Sequence, residues 1–142
     1  IVARTDARTG LGLDEAIRRG EAFAKAGADV VFIESPESED EFARVGDVLA
    51  GRGAWLIANM VPTGRSPELS AARLEQLGYS LAIWPGALMS AACAAIEGTL
   101  AHLREHGSTI GCPVPAFDMK ALHELVGFPE VWAFEKRWVE TD

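Results

Sequence analysis

The chain has 142 residues, 49% of them hydrophobic, which is enough apolar material for one core of ordinary density. Its 13 basic side chains face 21 acidic ones, and this formal charge of -8, with no Lys/Arg cluster against it, argues against a nucleic-acid partner. No apolar run approaches the roughly 18 residues of a bilayer span, and no charged segment leads into an apolar one, so neither a membrane segment nor a secretory leader is expected.

The chain opens without Met on Ile1-Val2-Ala3-Arg4-Thr5, which reads as a core strand. Because natural N-termini rarely start inside a strand, a fragment of a longer protein is expected. Three similar runs follow, Asp29 to Glu34, Ala54 to Asn59 and Tyr79 to Trp84. The four runs begin at positions 1, 29, 54 and 79, intervals of 28, 25 and 25 residues, each long enough for a strand, a loop and one helix. Helical periodicity fills the intervals: Leu13, Ala16, Ile17 and Phe23, then Phe42, Val45, Val48 and Leu49, then Leu69, Leu74 and Leu77. Ser38 and Glu41 have capping-box spacing, in which each side chain satisfies an amide at the helix start. Pro67, after Ser66, fits a first helical position, and Gly27, Gly53 and Gly78 each precede a strand, where a residue tolerant of positive φ is wanted. After the fourth strand the pattern predicts a long helix from Ala87 to Glu105, a proline-containing loop from Ile110 to Pro115, and two short helices, one capped by Asp118 and one started by Pro129.

Successive βα units joined by right-handed crossovers make a parallel sheet. Four strands do not close a barrel, for which eight are usual, so either a partial barrel or a small doubly wound domain is expected. The segment Asp6 to Gly12 contains a GxG but lacks a third glycine at the spacing a dinucleotide loop needs, which weakens the nucleotide-binding alternative.

In parallel α/β folds reactive groups gather at the C-terminal ends of the strands. Here the first strand ends in Arg4-Thr5-Asp6, the second in Glu34, the third in Asn59 and the fourth in Trp84-Pro85. Buried strands should read as unbroken aliphatic runs, so polar groups at three successive strand ends are costly unless used. One reading is a self-neutralising Arg4–Glu34 pair with Asn59 satisfying a turn. The other is a cluster that orients an anionic substrate: Arg4 grips a carboxylate, Asn59 donates its amide, and Glu34 polarises a water or holds the hydration shell of a metal.

His102, His106 and His123 lie on or after the late helices and are expected at the surface or an interface, whereas Trp84, Trp132 and Trp138 are expected to pack. Cys93 and Cys112 have no metal-ligand spacing around them and read as free thiols of a reducing cytoplasm.

The run Ala3-Arg4-Thr5-Asp6-Ala7, the later Gly27-Ala28-Asp29-Val30-Val31-Phe32-Ile33-Glu34, then Ala58-Asn59-Met60-Val61 and the Trp84-Pro85 strand end together resemble the isocitrate lyase and phosphoenolpyruvate mutase superfamily. The order and spacing agree over essentially the whole chain. The resemblance implies a (β/α)8 TIM barrel of the phosphoenolpyruvate mutase type, represented here by its last four βα units plus C-terminal helices. Residues 1–109 are expected to form that half-barrel, and residues 110–142 a helical extension packed on the barrel or on a neighbouring subunit.

By the same resemblance the complete protein is expected to be a cytoplasmic, Mg2+-dependent lyase or decarboxylase. It would cleave a C–C bond of a small 2-oxo or 2-hydroxy dicarboxylate through a pyruvate-like enolate. Arg4, Glu34 and Asn59 match its catalytic positions, and Arg4, Asn59, Met60 and Val61 its substrate-binding ones. Glu34 would touch the metal through water, and Asp6 would be a structural partner within the turn. The direct metal ligands and the mobile acid–base loop are expected outside this chain, so residues 1–142 alone are expected to be inactive. A dimer of dimers with exchanged helices is the implied assembly, with no membrane partner.

The chain also departs from each branch. Asn59 to Pro67 reads NMVPTGRSP where the decarboxylase and dimethylmalate lyase branch resembles NMVEGGKTP, and Val61-Pro62-Thr63 resembles the phosphonomutase branch. Ser90 stands where the methylisocitrate lyase branch carries an arginine, which disfavours a tricarboxylate substrate. Alternatives are therefore a phosphonomutase or phosphonopyruvate hydrolase acting on a P–C bond, and a non-catalytic half-barrel that serves as an interaction module.

Overall fold

The computed structural model describes residues 1–138. It contains four strands, β1 (Val2–Thr5), β2 (Val30–Ile33), β3 (Trp55–Asn59) and β4 (Leu81–Ile83), and seven helices. These are α1 (Ala7–Leu11), α2 (Leu13–Lys25), α3 (Glu39–Leu49), α4 (Ala71–Gln76), α5 (Ala87–His106), α6 (Met119–Leu125) and α7 (Phe128–Trp138). The strands pair in parallel in sequence order, β1-β2-β3-β4. This is the alternation the spacing predicts.

The chain divides into two compact units, residues 1–91 and 92–142, the last four residues of the second lying outside the described ones. In the first unit, alternation along the strands separates two faces. Val31, Ile33, Leu56, Ala58 and Met60 point to one side, where Ala16 and Ile17 of α2, Phe42, Val45 and Leu49 of α3, and Leu74 of α4 bury them. Val2, Trp55, Leu81 and Ile83, with the opposite parity, remain exposed. One face of the sheet therefore carries the core; the other is apolar, covered at Val30 and Phe32 of β2 and open at β1, β3 and β4, with polar groups at its C-terminal edge.

Local chemistry explains most helix boundaries, corrects two expectations and adds one helix. Ser38 caps α3 by accepting from the Glu41 amide at 3.2 Å, but the Glu41 carboxylate does not close the reciprocal half of the box. It accepts instead from the Glu37 amide, because the Arg8 guanidinium draws it out of the capping position. Pro67 does not start α4; Ser70 caps that helix by accepting from the Arg73 amide, leaving Pro67 in the preceding loop. The short α1 lies in a segment without apolar periodicity, started by the buried Thr5 hydroxyl, which accepts from the Ala7 amide.

Close approach fixes one glycine. A Cβ on Gly46 would lie 1.8 Å from the carbonyl oxygen of Leu77, so α3 meets the end of α4 through bare backbone. Gly27, Gly53 and Gly78, all just before strands, have φ of 92°, 91° and 85°, the left-handed region their positions call for.

In the second unit, Asp118 caps α6 through the Ala121 amide at 2.7 Å, and His123, Phe128 and Trp132 stack where α6 meets α7. None of the described residues of this unit is buried. Trp132 and Trp138, expected to pack, stay 43% and 66% exposed: Trp132 meets His123 and Phe128, and Trp138 meets Phe134 of its own helix; in the first unit Trp84 is 37% exposed. Cys93 and Cys112 are free thiols. Among the described residues no helix is long and apolar enough to cross a membrane.

Candidate functional site

Strand parity and register together assemble the polar edge. Arg4 pairs in register with Phe32, and Phe32 with Ile57, so these three share the open face of the sheet. Two residues further along their strands, Glu34 and Asn59 lie on the same face and side by side. The Asn59 amide nitrogen donates to both Glu34 carboxylate oxygens at 3.4 Å, long contacts and hence weak hydrogen bonds. The arrangement also sets the amide's orientation, since its flip would turn an oxygen toward the carboxylate. That leaves Asn59 Oδ1 buried without a hydrogen-bond partner, a state that costs about 1–3 kcal/mol.

Arg4 completes the group, its guanidinium carbon lying 4.9 Å from the centre of the Phe32 ring, a cation–π distance. Nη2 of Arg4 is 3.6 Å from Glu34, an ion-pair contact too long for a hydrogen bond. The fork of Arg4 closes on Asp6 instead, with Nε and Nη2 donating at 3.2 and 2.8 Å. That hydrogen bond is the chief cause of the raised Arg4 and lowered Asp6 pKa values. Both side chains are largely in water, so the pair is screened and exchangeable. Glu34, with 18% of its side chain exposed, is the most enclosed charge of the cluster.

Arg4, Glu34 and Asn59 are thus brought together. Met60 is not: its side chain is fully buried on the helix-covered face, where its sulfur accepts from the Leu69 amide at 3.2 Å. As a neighbour of Asn59 on a strand, it must point the opposite way. Val61 is partly exposed at the start of the next loop, and its carbonyl accepts from the Gly64 amide.

Two arginines near this edge escaped the sequence reading. Arg65, in the loop after Asn59, reaches Thr9 of α1 at 3.4 Å. Arg8 engages Glu37 and Glu41 beside the loop that carries Glu34. The only sequence signal for the second was the Glu41 of the capping pattern, which has two possible partners.

The profile of the phosphoenolpyruvate phosphomutase family matches residues 1–104. The chain belongs to this family, within the isocitrate lyase and phosphoenolpyruvate mutase superfamily. It is 39% identical over 138 residues to 2,3-dimethylmalate lyase from Eubacterium barkeri, covering 97% of this chain and 47% of that protein. The crystal structure of a 2,3-dimethylmalate lyase superposes with a TM-score of 0.82 at 30% identity, covering 96% of this chain and 46% of the other. A phosphonopyruvate hydrolase crystallised with oxalate and Mg2+ superposes with a TM-score of 0.81 at 30% identity, covering 98% and 49%. The chain spans about half the length of the curated relatives it matches.

Proposed function

We propose that the complete protein is a Mg2+-dependent lyase or decarboxylase that cleaves a C–C bond of a small 2-oxo or 2-hydroxy dicarboxylate. The observation that carries this reading is the convergence of Arg4, Glu34 and Asn59 on the open face of the sheet at its C-terminal edge. Similarity to dimethylmalate lyase supports the reaction class. Arg4 is suited to hold a substrate carboxylate, because its fork is already shaped around one, that of Asp6, in water-accessible surroundings where the partner can be exchanged. Asn59 presents an amide nitrogen whose bonds to Glu34 are long, so a substrate oxygen can compete for its donors at little cost.

The oxygen donors at this edge fit a hard divalent cation. Glu34 supplies an enclosed carboxylate and Asn59 a buried oxygen without a partner, both of the type Mg2+ takes. Glu34, the most enclosed carboxylate of the edge, would contact the ion through its water shell, as the resemblance implies. When bound, the cation would supply electrostatic stabilisation for charge developing on a pyruvate-like fragment.

A second reading, P–C chemistry, is favoured by Val61-Pro62-Thr63, in which Thr63 takes the left-handed φ of 60°, and by similarity to phosphonopyruvate hydrolase. Exposed apolar side chains on α5 and α7, among them Leu100 and Phe134, support the assembly as a dimer of dimers with exchanged helices. The free thiols support a cytoplasmic location.

The deciding experiment assays the complete protein against oxaloacetate, substituted malates, methylisocitrate and phosphonopyruvate, with and without Mg2+. Mg2+-dependent C–C cleavage is expected, lowered about 10–100-fold by Glu34→Gln. Turnover of phosphonopyruvate alone would select the second reading, and absence of Mg2+-dependent turnover of any of them would overturn both.

A further inference from the structure

The second residue of α1, Arg8, binds two carboxylates at once. The Arg8 side chain is 18% exposed, and its Nε and Nη2 donate to the two Glu41 oxygens at 2.9 and 2.6 Å. Its third nitrogen, Nη1, lies 2.6 Å from the Glu37 carboxylate. Glu41 Oε2 also accepts from the Glu37 amide at 2.8 Å. The hydrogen bond from Arg8 is the chief reason the Glu41 carboxyl is held below its usual range. One guanidinium thereby ties α1 to both ends of a short path, Glu37 in the β2–α3 loop and Glu41 in the first turn of α3.

That loop begins immediately after Glu34, and its first residue is strained. Ser35 has φ of 57°, a conformation that costs a non-glycine residue about 1 kcal/mol or more. It also precedes the buried Pro36, whose ring ordinarily drives the residue before it to an extended backbone. Such a conformation persists only where the surroundings over-determine it. The Glu34 amide is fixed to Thr5 of β1 at 3.0 Å on one side, and the Arg8 contacts fix Glu37 on the other. Between these two anchors the Ser35 hydroxyl donates to Glu34 Oε1 at 3.3 Å, so the Ser35 backbone and the Glu34 carboxylate are coupled.

We propose that Arg8 is a positioning residue for Glu34, holding the β2–α3 loop in the strained form that sets the Glu34 carboxylate against Asn59. The inference rests on the role given to Glu34 above. Loss of Arg8 leaves the Glu37 and Glu41 carboxylates together without their cation, and their repulsion opens the loop. Lysine restores the charge but not the fork, since an ammonium cannot bridge both Glu41 oxygens in a fixed plane while also meeting Glu37.

The test compares Arg8→Gln, Arg8→Lys, Glu34→Gln and the Arg8→Gln/Glu34→Gln double variant in the complete protein, with Mg2+ and whichever substrate it turns over. Arg8→Gln is expected to lower kcat about tenfold while KM stays within about threefold, and Arg8→Lys to recover only part of the loss. The double variant is expected to match Glu34→Gln within about twofold, because the effect of Arg8 passes through Glu34. A crystal structure of Arg8→Gln should show Ser35 at negative φ and the Glu34 carboxylate parted from Asn59. If Arg8→Gln does not fold, Glu41→Gln replaces it: the variant loses the two-pronged anchor on α3 without creating repulsion, so kcat is expected to fall in the same direction by a smaller factor, about threefold, and an unchanged kcat overturns the proposal.

Two results overturn the proposal alone: a folded Arg8 variant with kcat unchanged while Glu34→Gln is impaired, or a double variant slowed by the product of the two single effects. An unchanged Ser35 φ and Glu34–Asn59 contact in the variant structure has the same force. A Glu34→Gln variant of undiminished activity overturns the role of Glu34 and this inference with it.

Discussion

Residues 1–91 and 92–138 are both rich in apolar side chains, yet every buried hydrophobic residue of the described chain lies in the first segment. The difference follows from how each kind of element satisfies its backbone. Parallel strands must find partners at long range, and in doing so they draw α2, α3 and α4 onto one face of the sheet. Helices bond within themselves, so α5 can form over 20 residues with Leu100 60% exposed.

The comparison breaks first at Phe42, fully buried between α3, the sheet and Tyr79. Phe42→Ala is expected to cost about 3–5 kcal/mol in chemical denaturation of the chain. A loss below about 1 kcal/mol would mean that this core does not hold the unit together. Gly46→Ala comes next, at about 3 kcal/mol, because the new Cβ meets the Leu77 carbonyl oxygen and α3 must move away from α4. The same exchange at Gly10, which has nothing within 4 Å of a Cβ, should not destabilise; the pair of melting curves measures how tightly the helices meet.

Tyr79→Phe probes the same core more gently. The hydroxyl donates to the Phe42 carbonyl at 3.5 Å, and its loss should cost about 0.5–1 kcal/mol near neutral pH. Burial raises the Tyr79 pKa in the folded state, so its contribution is fully present below the ordinary tyrosine value of about 10 and is lost as pH rises through the folded value. Denaturation curves taken above about pH 10 should therefore fall for the natural chain more steeply than for Tyr79→Phe. At the small end, Phe134→Ala on α7 should change the stability of the chain by less than about 0.5 kcal/mol, since its ring is 63% exposed. A cost above about 2 kcal/mol would show that a partner covers α7 and would redraw the comparison.

The polar edge was legible for particular reasons. Arg4, Glu34 and Asn59 interrupt or end apolar strands at regular intervals, so their charge and spacing mark them before any fold is known. The placement of the Met60 side chain was not legible, because adjacency in sequence to Asn59 means opposition along a strand and the covered face becomes known only from packing. Pro67 marks a turn as readily as a helix start, and the helix begins only where the Ser70 side chain caps it. Arg8 went unread because its value lies in two carboxylates about thirty residues away in the chain.

From the order of residues alone came the four strands, the intervening helices, the parallel βα pattern and the identity of the strand-end groups. These depend on period, turn chemistry and composition, which act over a few residues. Tertiary structure alone decided which sheet face is covered, how close Glu34 comes to Asn59, and that Glu41 turns from its own helix to Arg8. Those outcomes are competitions between partners of similar chemistry. They are settled by distance in space, which register and helix packing set together.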